Sequence, residues 1–194
     1  MILITGCPRS GTGYASQIFQ AQGLDIGHER LGTDGVSSWL FAVEDHRYPW
    51  HPPGELRQNY GFEVILHQVR DPLRVLASMT VLRRPDWTFI GRHLALPKTP
   101  LERRIGFYLH WTELCDRQAH YRYRVEDIAV EWPRLHQFCG GIAAWTGEAQ
   151  GISKTYNRRR HQDLTWTRVL ATPGGREVAA KAQAYGYEVA VNNC

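Results

Sequence analysis

Lysine is scarce in this chain: three residues, Lys98, Lys154 and Lys181, stand against twenty arginines. None of the three falls in the glycine-rich segment near the start. That segment therefore lacks the cation with which an ATP-binding loop holds the β- and γ-phosphates. Long apolar runs are also missing. The longest, Trp39 to Val43, has five residues, which excludes a transmembrane helix. The first six residues carry no basic stretch and too short an apolar run for a signal peptide, so a cytoplasmic protein with reduced thiols is expected. Cysteine is sparse. Cys7, Cys115, Cys139 and Cys194 form no C-x-x-C pair, and no His/Cys cluster has zinc spacing, so no metal is expected. Cys7 lies in the glycine-rich segment, but no histidine is placed to act as its base, which argues against a thiol nucleophile. Repeats and low-complexity segments are absent.

What is present fits one domain spanning 1–194. A hydrophobic content of 43% with 11% aromatics rules out a disordered chain. The formal charge of +4 is unevenly spread. Residues 1–60 carry four arginines and six acids, a balance of −2, whereas residues 61–194 carry 19 basic and 13 acidic side chains, a balance of +6. A basic C-terminal two-thirds suggests an anionic partner. Arginine suits this because its planar fork grips phosphate or sulfate through two parallel hydrogen bonds. Codon preference accounts for most of the arginine skew, so individual positions have to argue for themselves.

Along the chain, Met1 to Thr5 is apolar and β-branched and runs into Gly6-Cys7-Pro8-Arg9-Ser10-Gly11, a buried strand entering a tight loop. Thr12 to Gln22 then reads as a helix stopped by Gly23. Leu24 to Gly27 reads as a short strand, 28–35 as a polar loop and Val36 to Val43 as a short helix. Residues 44–60, rich in Pro, His and aromatics, read as an irregular insertion. Phe62 to Val69 is the clearest strand, and Asp71-Pro72 opens the next helix with an N-cap residue and a first-turn proline. Helices are expected at 100–120, 133–139, 164–170 and 174–185, with a strand at 121–125. The order predicts an α/β fold: a central parallel sheet flanked by helices, with a phosphate-binding loop after strand 1.

Two segments carry chemistry. In Gly6-Cys7-Pro8-Arg9-Ser10-Gly11-Thr12-Gly13 the first two glycines have the Walker spacing, but Thr12 stands where lysine would be. Glycines still let backbone N–H groups converge on an anion, the helix starting at Thr12 points its positive end at it, and Arg9 supplies a cation. The second segment is Val69-Arg70-Asp71-Pro72 with Ser78 eight residues after Arg70. Arg70 sits at the carboxyl end of a predicted strand, where open α/β sheets bind ligands. Alternatively, Arg70 pairs with Asp71 and Ser78 merely faces solvent.

Together, Pro8-Arg9-Ser10-Gly11-Thr12 and strand–Arg70-Asp71-Pro72–Ser78 resemble the sulfotransferases that use 3′-phosphoadenosine-5′-phosphosulfate (PAPS). The resemblance spans roughly residues 1–130, and Val125-Glu126-Asp127 resembles that family's later Tyr-Glu-Asp strand end, with valine replacing the aromatic residue. It implies that Pro8, Arg9, Ser10, Gly11, Thr12 and Gly13 grip the 5′-phosphosulfate and that Arg70 and Ser78 grip the 3′-phosphate. The family's C-terminal Arg-Lys-Gly segment has no literal match. Arg158, Arg159 and Arg160 are the candidate substitute, or else a solvated basic loop. The implied product is 3′-phosphoadenosine-5′-phosphate (PAP), with no metal. The implied partner is a hydroxyl-bearing small molecule or glycan.

An acceptor hydroxyl needs a base. Glu29 and His28 are the leading candidates, with His46, His51, His67 or no base at all as alternatives. Arg9, together with the backbone N–H groups of residues 10–13, is expected to stabilise the leaving oxygen. Trp50, Trp87, Phe89 and His93 could flank the acceptor, or simply pack. The chain is small for the family, so the acceptor site is expected to be open or completed by a second subunit. A small P-loop kinase or NTPase is the main rival, disfavoured by the missing lysine. A non-enzymatic nucleotide- or nucleic-acid-binding module is the other, disfavoured by the lack of any nucleic-acid motif.

Overall fold

Three aliphatic residues and Thr5 make up strand β1 (Ile2–Thr5), and all four are buried. The computed structural model describes residues 1–45, 57–140 and 163–190. After β1 come helix α1 (Thr12–Ala21) and strands β2 (Ile26–His28), β3 (Gly35–Ser37) and β4 (Val64–Val69). Helices α2 (Pro72–Ser78), α3 (Arg84–Ile90) and α4 (Pro100–Gln118), strand β5 (Tyr121–Arg124), and helices α5 (Ile128–Phe138), α6 (Trp166–Leu170) and α7 (Gly175–Ala184) complete the order. The five strands form one sheet, ordered β2-β3-β1-β4-β5, and every pairing is parallel. The expected α/β class, a parallel sheet flanked by helices, is what the chain adopts. Among the described residues no helix is long and apolar enough to cross a membrane.

The described residues of Met1–Val69 and Leu114–Arg158 form one compact unit, and those of Arg70–Glu113 and Arg159–Cys194 form another. The first unit holds the sheet. On one face Ile2, Ile4, Ile26, Leu66 and Tyr123 pack with Ala15, Ile18 and Phe19 of α1 and with Ile128, Trp132, Leu135 and Cys139 around α5. Phe19 and Trp132 meet edge to face at 5.1 Å. Trp132→Ala should therefore destabilise the protein by about 3–5 kcal/mol, read from urea unfolding. A loss below 1 kcal/mol would show that α5 does not seal this face. On the opposite face, the start of the unit's share of α4 supplies Cys115, whose Sγ lies 3.7 Å from Thr5 Oγ1, and Asp116, whose Oδ1 is 2.9 Å from His67 Nδ1.

In the second unit Asp71 caps α2 by accepting the Leu73 N–H at 2.9 Å, as the Asp-Pro pair predicts. Arg104 donates to the Leu76 carbonyl at 2.7 Å, and Lys181 donates to Glu113 at 2.9 Å. Trp87 packs edge to face on Phe107, and Phe89 packs likewise on Trp111.

Three local readings change. Val36–Val43 is not a helix: Gly35–Ser37 forms β3, and Leu40–Ala42 makes a single 3₁₀ turn. The β-branched Val36 enters the sheet because β1 and β2 bond it from both sides. Parallel neighbours usually need about a dozen connecting residues. Here both strands are only three residues long, so a short return through 29–34 suffices, clasped by Asp25 N–H to Asp34 Oδ2 (2.7 Å) and Thr33 N–H to Asp25 Oδ2 (2.8 Å). Helix α5 begins at Ile128, not at Pro133, which sits inside it. Burial of Ile128 and Trp132 against the sheet outweighs the hydrogen bond that the proline removes. Helix α3 was not anticipated, although Asp86 reaching back to the Arg83 N–H at 2.6 Å is a local start signal.

Candidate functional site

Chain direction around the sheet fixes where a ligand can sit. From β1 the chain moves to the β3–β2 side, and from β4 it moves to the β5 side, so the order reverses between β1 and β4. Open α/β sheets bind ligands at the carboxyl ends of the strands flanking such a reversal. Gly6–Gly13 leaves the carboxyl end of β1 at that point.

Gly6 is there because nothing larger fits. A Cβ at this position would lie 2.3 Å from the Gln68 carbonyl oxygen of β4 and 2.7 Å from Ser10 Oγ. The loop then folds over itself, with the Ser10 N–H donating to the Cys7 carbonyl at 3.0 Å. This corrects one expectation: the Ser10 N–H is already used inside the loop, which leaves the N–H groups of residues 11–13 for an anion. Arg9 has φ 74° and Gly11 has φ 101°. A left-handed arginine carries strain of about 1–2 kcal/mol, which persists only where its surroundings impose it.

Gly11 is the N-cap of α1, and no side chain caps that end. The ten-residue helix thus presents uncapped first-turn N–H groups and its positive pole to the loop. Ser10 Oγ is the second sign of an anion site. Ser10 is 1% exposed, and its hydroxyl has no hydrogen-bond partner. Pro8 and Thr12 are buried, and Arg9 is half-buried.

The end of β2 brings His28, and the residue after it brings Glu29, to the same place. A Cβ on Gly13 would touch the His28 imidazole at 3.1 Å, so the ring lies directly against the start of α1. His28 Nε2 stands 3.5 Å from Glu29 Oε1. Burial holds the imidazole pKa below its ordinary value, so His28 is neutral at pH 7. Glu29 has φ 55°, and it and Arg9 are the only non-glycine residues with positive φ among the described residues. Its N–H donates to the Ser37 carbonyl at 3.1 Å, and its carboxylate accepts from the Ser38 hydroxyl. The Glu29 side chain is 18% exposed. Burial pushes its pKa up to about 7, against the opposing pull of the Ser38 hydroxyl and the Trp39 N–H. A carboxyl group with a pKa near 7 is suited to exchange a proton at neutral pH.

Arg70 directly follows β4, and the buried Ser78 ends α2; both belong to the second unit. Arg158, Arg159 and Arg160 lie outside the described residues, as do His46, His51 and Trp50. His67 is fully buried and faces Asp116 on the α4 side of the sheet, in a structural pair. Cys7 is 2% exposed, and burial raises its thiol pKa well above the usual range, so it is no nucleophile at neutral pH. Phe89 is buried in the second unit's aromatic core, while Trp87 and His93 are half-buried. Among the described residues no group of His, Cys, Asp or Glu could hold a metal ion.

Sequence reasoning missed Ser38, Gln68 and Tyr123. Gln68 is the one with a local signal: a fully buried amide near the end of a parallel strand. It donates to the Ser10 carbonyl at 3.0 Å and accepts from Tyr123 at 2.7 Å. Val125, read as a strand end with a replaced aromatic residue, has its Cγ2 3.3 Å from where a Gly11 Cβ would be. No protein-family model, curated protein or solved structure matches the chain, so its function rests on the residues of the site itself.

Proposed function

We propose that the protein is a sulfotransferase that moves a sulfuryl group from PAPS to the hydroxyl of a small molecule or glycan. The observation that carries the reading is the meeting of three features in one unit. These are an uncapped helix start with an unpartnered buried Ser10 hydroxyl, a left-handed Arg9, and a Glu29 carboxyl with pKa about 7. The donor-rich loop suits a doubly or singly charged oxyanion. The missing lysine disfavours a nucleoside triphosphate.

PAPS would supply the sulfuryl group and a phosphate leaving group. Ser10 Oγ and the N–H groups of Gly11, Thr12 and Gly13 would hold that phosphate, and Arg9 would add a cation. Charge developing on the bridging oxygen is what such preorganised donors stabilise. Glu29 takes the proton of the acceptor hydroxyl. Neutral His28, packed against Gly13 and 3.5 Å from Oε1, orients the carboxylate. Ser38 donates to Oε2 and steadies the carboxyl group. Arg70 and Ser78 are proposed for the 3′-phosphate.

Calorimetric titration tests the reading. PAP should bind tightly without metal, and ATP with magnesium should bind weakly or not at all. Tight ATP–magnesium binding with no PAP binding would point to the kinase or NTPase class. Arg70→Ala should weaken PAP binding by about 10- to 100-fold, the worth of a charge-assisted hydrogen bond, and adenosine 5′-phosphate binding by much less. Equal losses for the two ligands would remove Arg70 from the 3′-phosphate.

A further inference from the structure

A buried chain of hydrogen bonds ties the glycine-rich loop to strands β4 and β5 of the sheet. Tyr123 Oη of β5 donates to Gln68 Oε1 of β4 at 2.7 Å, and Gln68 Nε2 donates to the Ser10 carbonyl at 3.0 Å. Gln68 is 0% exposed and Tyr123 is 2% exposed, so water does not substitute for either bond. Burial also holds the Tyr123 hydroxyl protonated across the neutral range. The carbonyl end sets the direction of the chain. A carbonyl only accepts, so the Gln68 NH₂ must face Ser10, and its oxygen must face the tyrosine hydroxyl.

A planar trans peptide points its C=O and its N–H in opposite directions. No peptide bond among the described residues is cis. With the Ser10 carbonyl turned toward Gln68, the Gly11 N–H is turned away from the sheet, to the open side of the loop. The alternative is a flipped Ser10–Gly11 peptide, which would present a carbonyl oxygen to an incoming anion. Gly11, at φ 101°, lacks the Cβ that would resist such a flip, so the backbone alone does not select the orientation. A Cβ at Gly11 would also meet Gln68 Nε2 at 3.2 Å and Val125 Cγ2 at 3.3 Å, which shows how closely β4 and the residue after β5 back this peptide.

We propose that Gln68 and Tyr123 are positioning residues: a two-residue relay that holds the Ser10–Gly11 peptide with its N–H facing the anion. Neither residue touches the ligand. The inference rests on the reading of this loop as an oxyanion site, but not on which donor nucleotide it takes. The relay also explains why an amide is placed in the middle of an apolar parallel sheet. Ser10 Oγ, buried and unpartnered beside it, is the side-chain donor that the oriented Gly11 N–H complements.

The test uses the full chain, with inorganic sulfate and PAP as separate probes. Backbone amide resonances are followed by NMR during each titration. In the wild type the Gly11 amide should move on saturation with either probe. Gln68→Met keeps the length of the side chain but removes both hydrogen bonds. It should weaken sulfate binding at least tenfold, with the Gly11 amide response lost. Tyr123→Phe removes one oxygen and serves as the gentler variant should Gln68→Met fail to fold. It should weaken binding about two- to fivefold, the effect of one lost hydrogen bond. The double variant should be no worse than Gln68→Met alone, because the tyrosine acts only through the amide. Unchanged sulfate affinity and an unchanged Gly11 response in a folded Gln68→Met or Tyr123→Phe protein would overturn the relay. An additive double variant would do the same. A wild type in which neither probe moves Gly11 would instead overturn the oxyanion site itself. Sulfate binding without PAP binding would leave the relay standing and remove the nucleotide.

Discussion

Glu29→Gln should flatten the pH dependence of stability and collapse turnover at neutral pH. The carboxyl titrates near 4.5 in the unfolded chain and near 7 in the fold. A raised acid pKa means that the native state holds its proton over a range where the unfolded state has lost it. The favourable contribution is complete below pH 4.5 and disappears as pH rises through 7. At about 1.36 kcal/mol per pH unit, the wild type should lose about 3 kcal/mol from this one group between pH 4 and pH 9. Glutamine has no proton to release, and it can still accept from Ser38. The variant should therefore match the wild type near pH 4 and exceed it by about 3 kcal/mol at pH 9, in urea unfolding run at both values. A difference between the two proteins that does not change with pH would show that Glu29 is not held in its raised state. If Glu29 is also the base, the acidic limb of kcat/KM near pH 7 should vanish with the substitution, and turnover should fall by about 10²- to 10⁴-fold. PAP affinity should hardly change. The two readouts separate, because the stability difference follows from burial alone.

Gly6→Ala should be the most damaging single methyl group in the loop. The added Cβ would be placed 2.3 Å from the Gln68 carbonyl oxygen. That oxygen belongs to β4, whose in-register pairing with β1 runs from Ile2↔Val64 to Thr5↔His67, so it cannot retreat without parting the two strands. The cost should be about 3 kcal/mol, the upper range for inserting volume into a packed interior. Gly61→Ala is the control: a Cβ there meets nothing within 4 Å. It should be neutral or slightly stabilising, because it restricts the unfolded chain. Anion binding should be lost with Gly6→Ala and kept with Gly61→Ala. Equal urea midpoints for the two variants would mean that the loop does not approach β4 as closely as the backbone indicates.

Both results bear on how far the chain could be read in one dimension. Strand β1, the loop and α1 were legible because each is encoded by neighbours: an aliphatic run, glycines at fixed spacing, and a periodic face ended by Gly23. Strand β3 was not legible. Val36 to Val43 has no feature that separates a short helix from a buried strand plus a turn, and the choice is made by β1 and β2 bonding Val36 from either side. The start of α5 was misplaced for a similar reason. Proline is a strong local signal, and burial of Trp132 against Phe19 overrode it.

By itself the sequence determined the α/β class, and it pointed to residues 6–13 as an anion-binding loop with Glu29 and His28 as the shortlist of bases. All of these follow from short-range spacing and residue type. Tertiary structure alone decided which of those groups meet. It set His28 against Gly13, gave Glu29 a left-handed backbone and a buried carboxyl, and buried His67 and Cys7. It also recruited Gln68 and Tyr123, which lie 58 and 113 residues from their target at Ser10. The physical reason is that a pKa depends on desolvation and a peptide's orientation on its distant partners, and neither quantity is carried by the residues next to it in the chain.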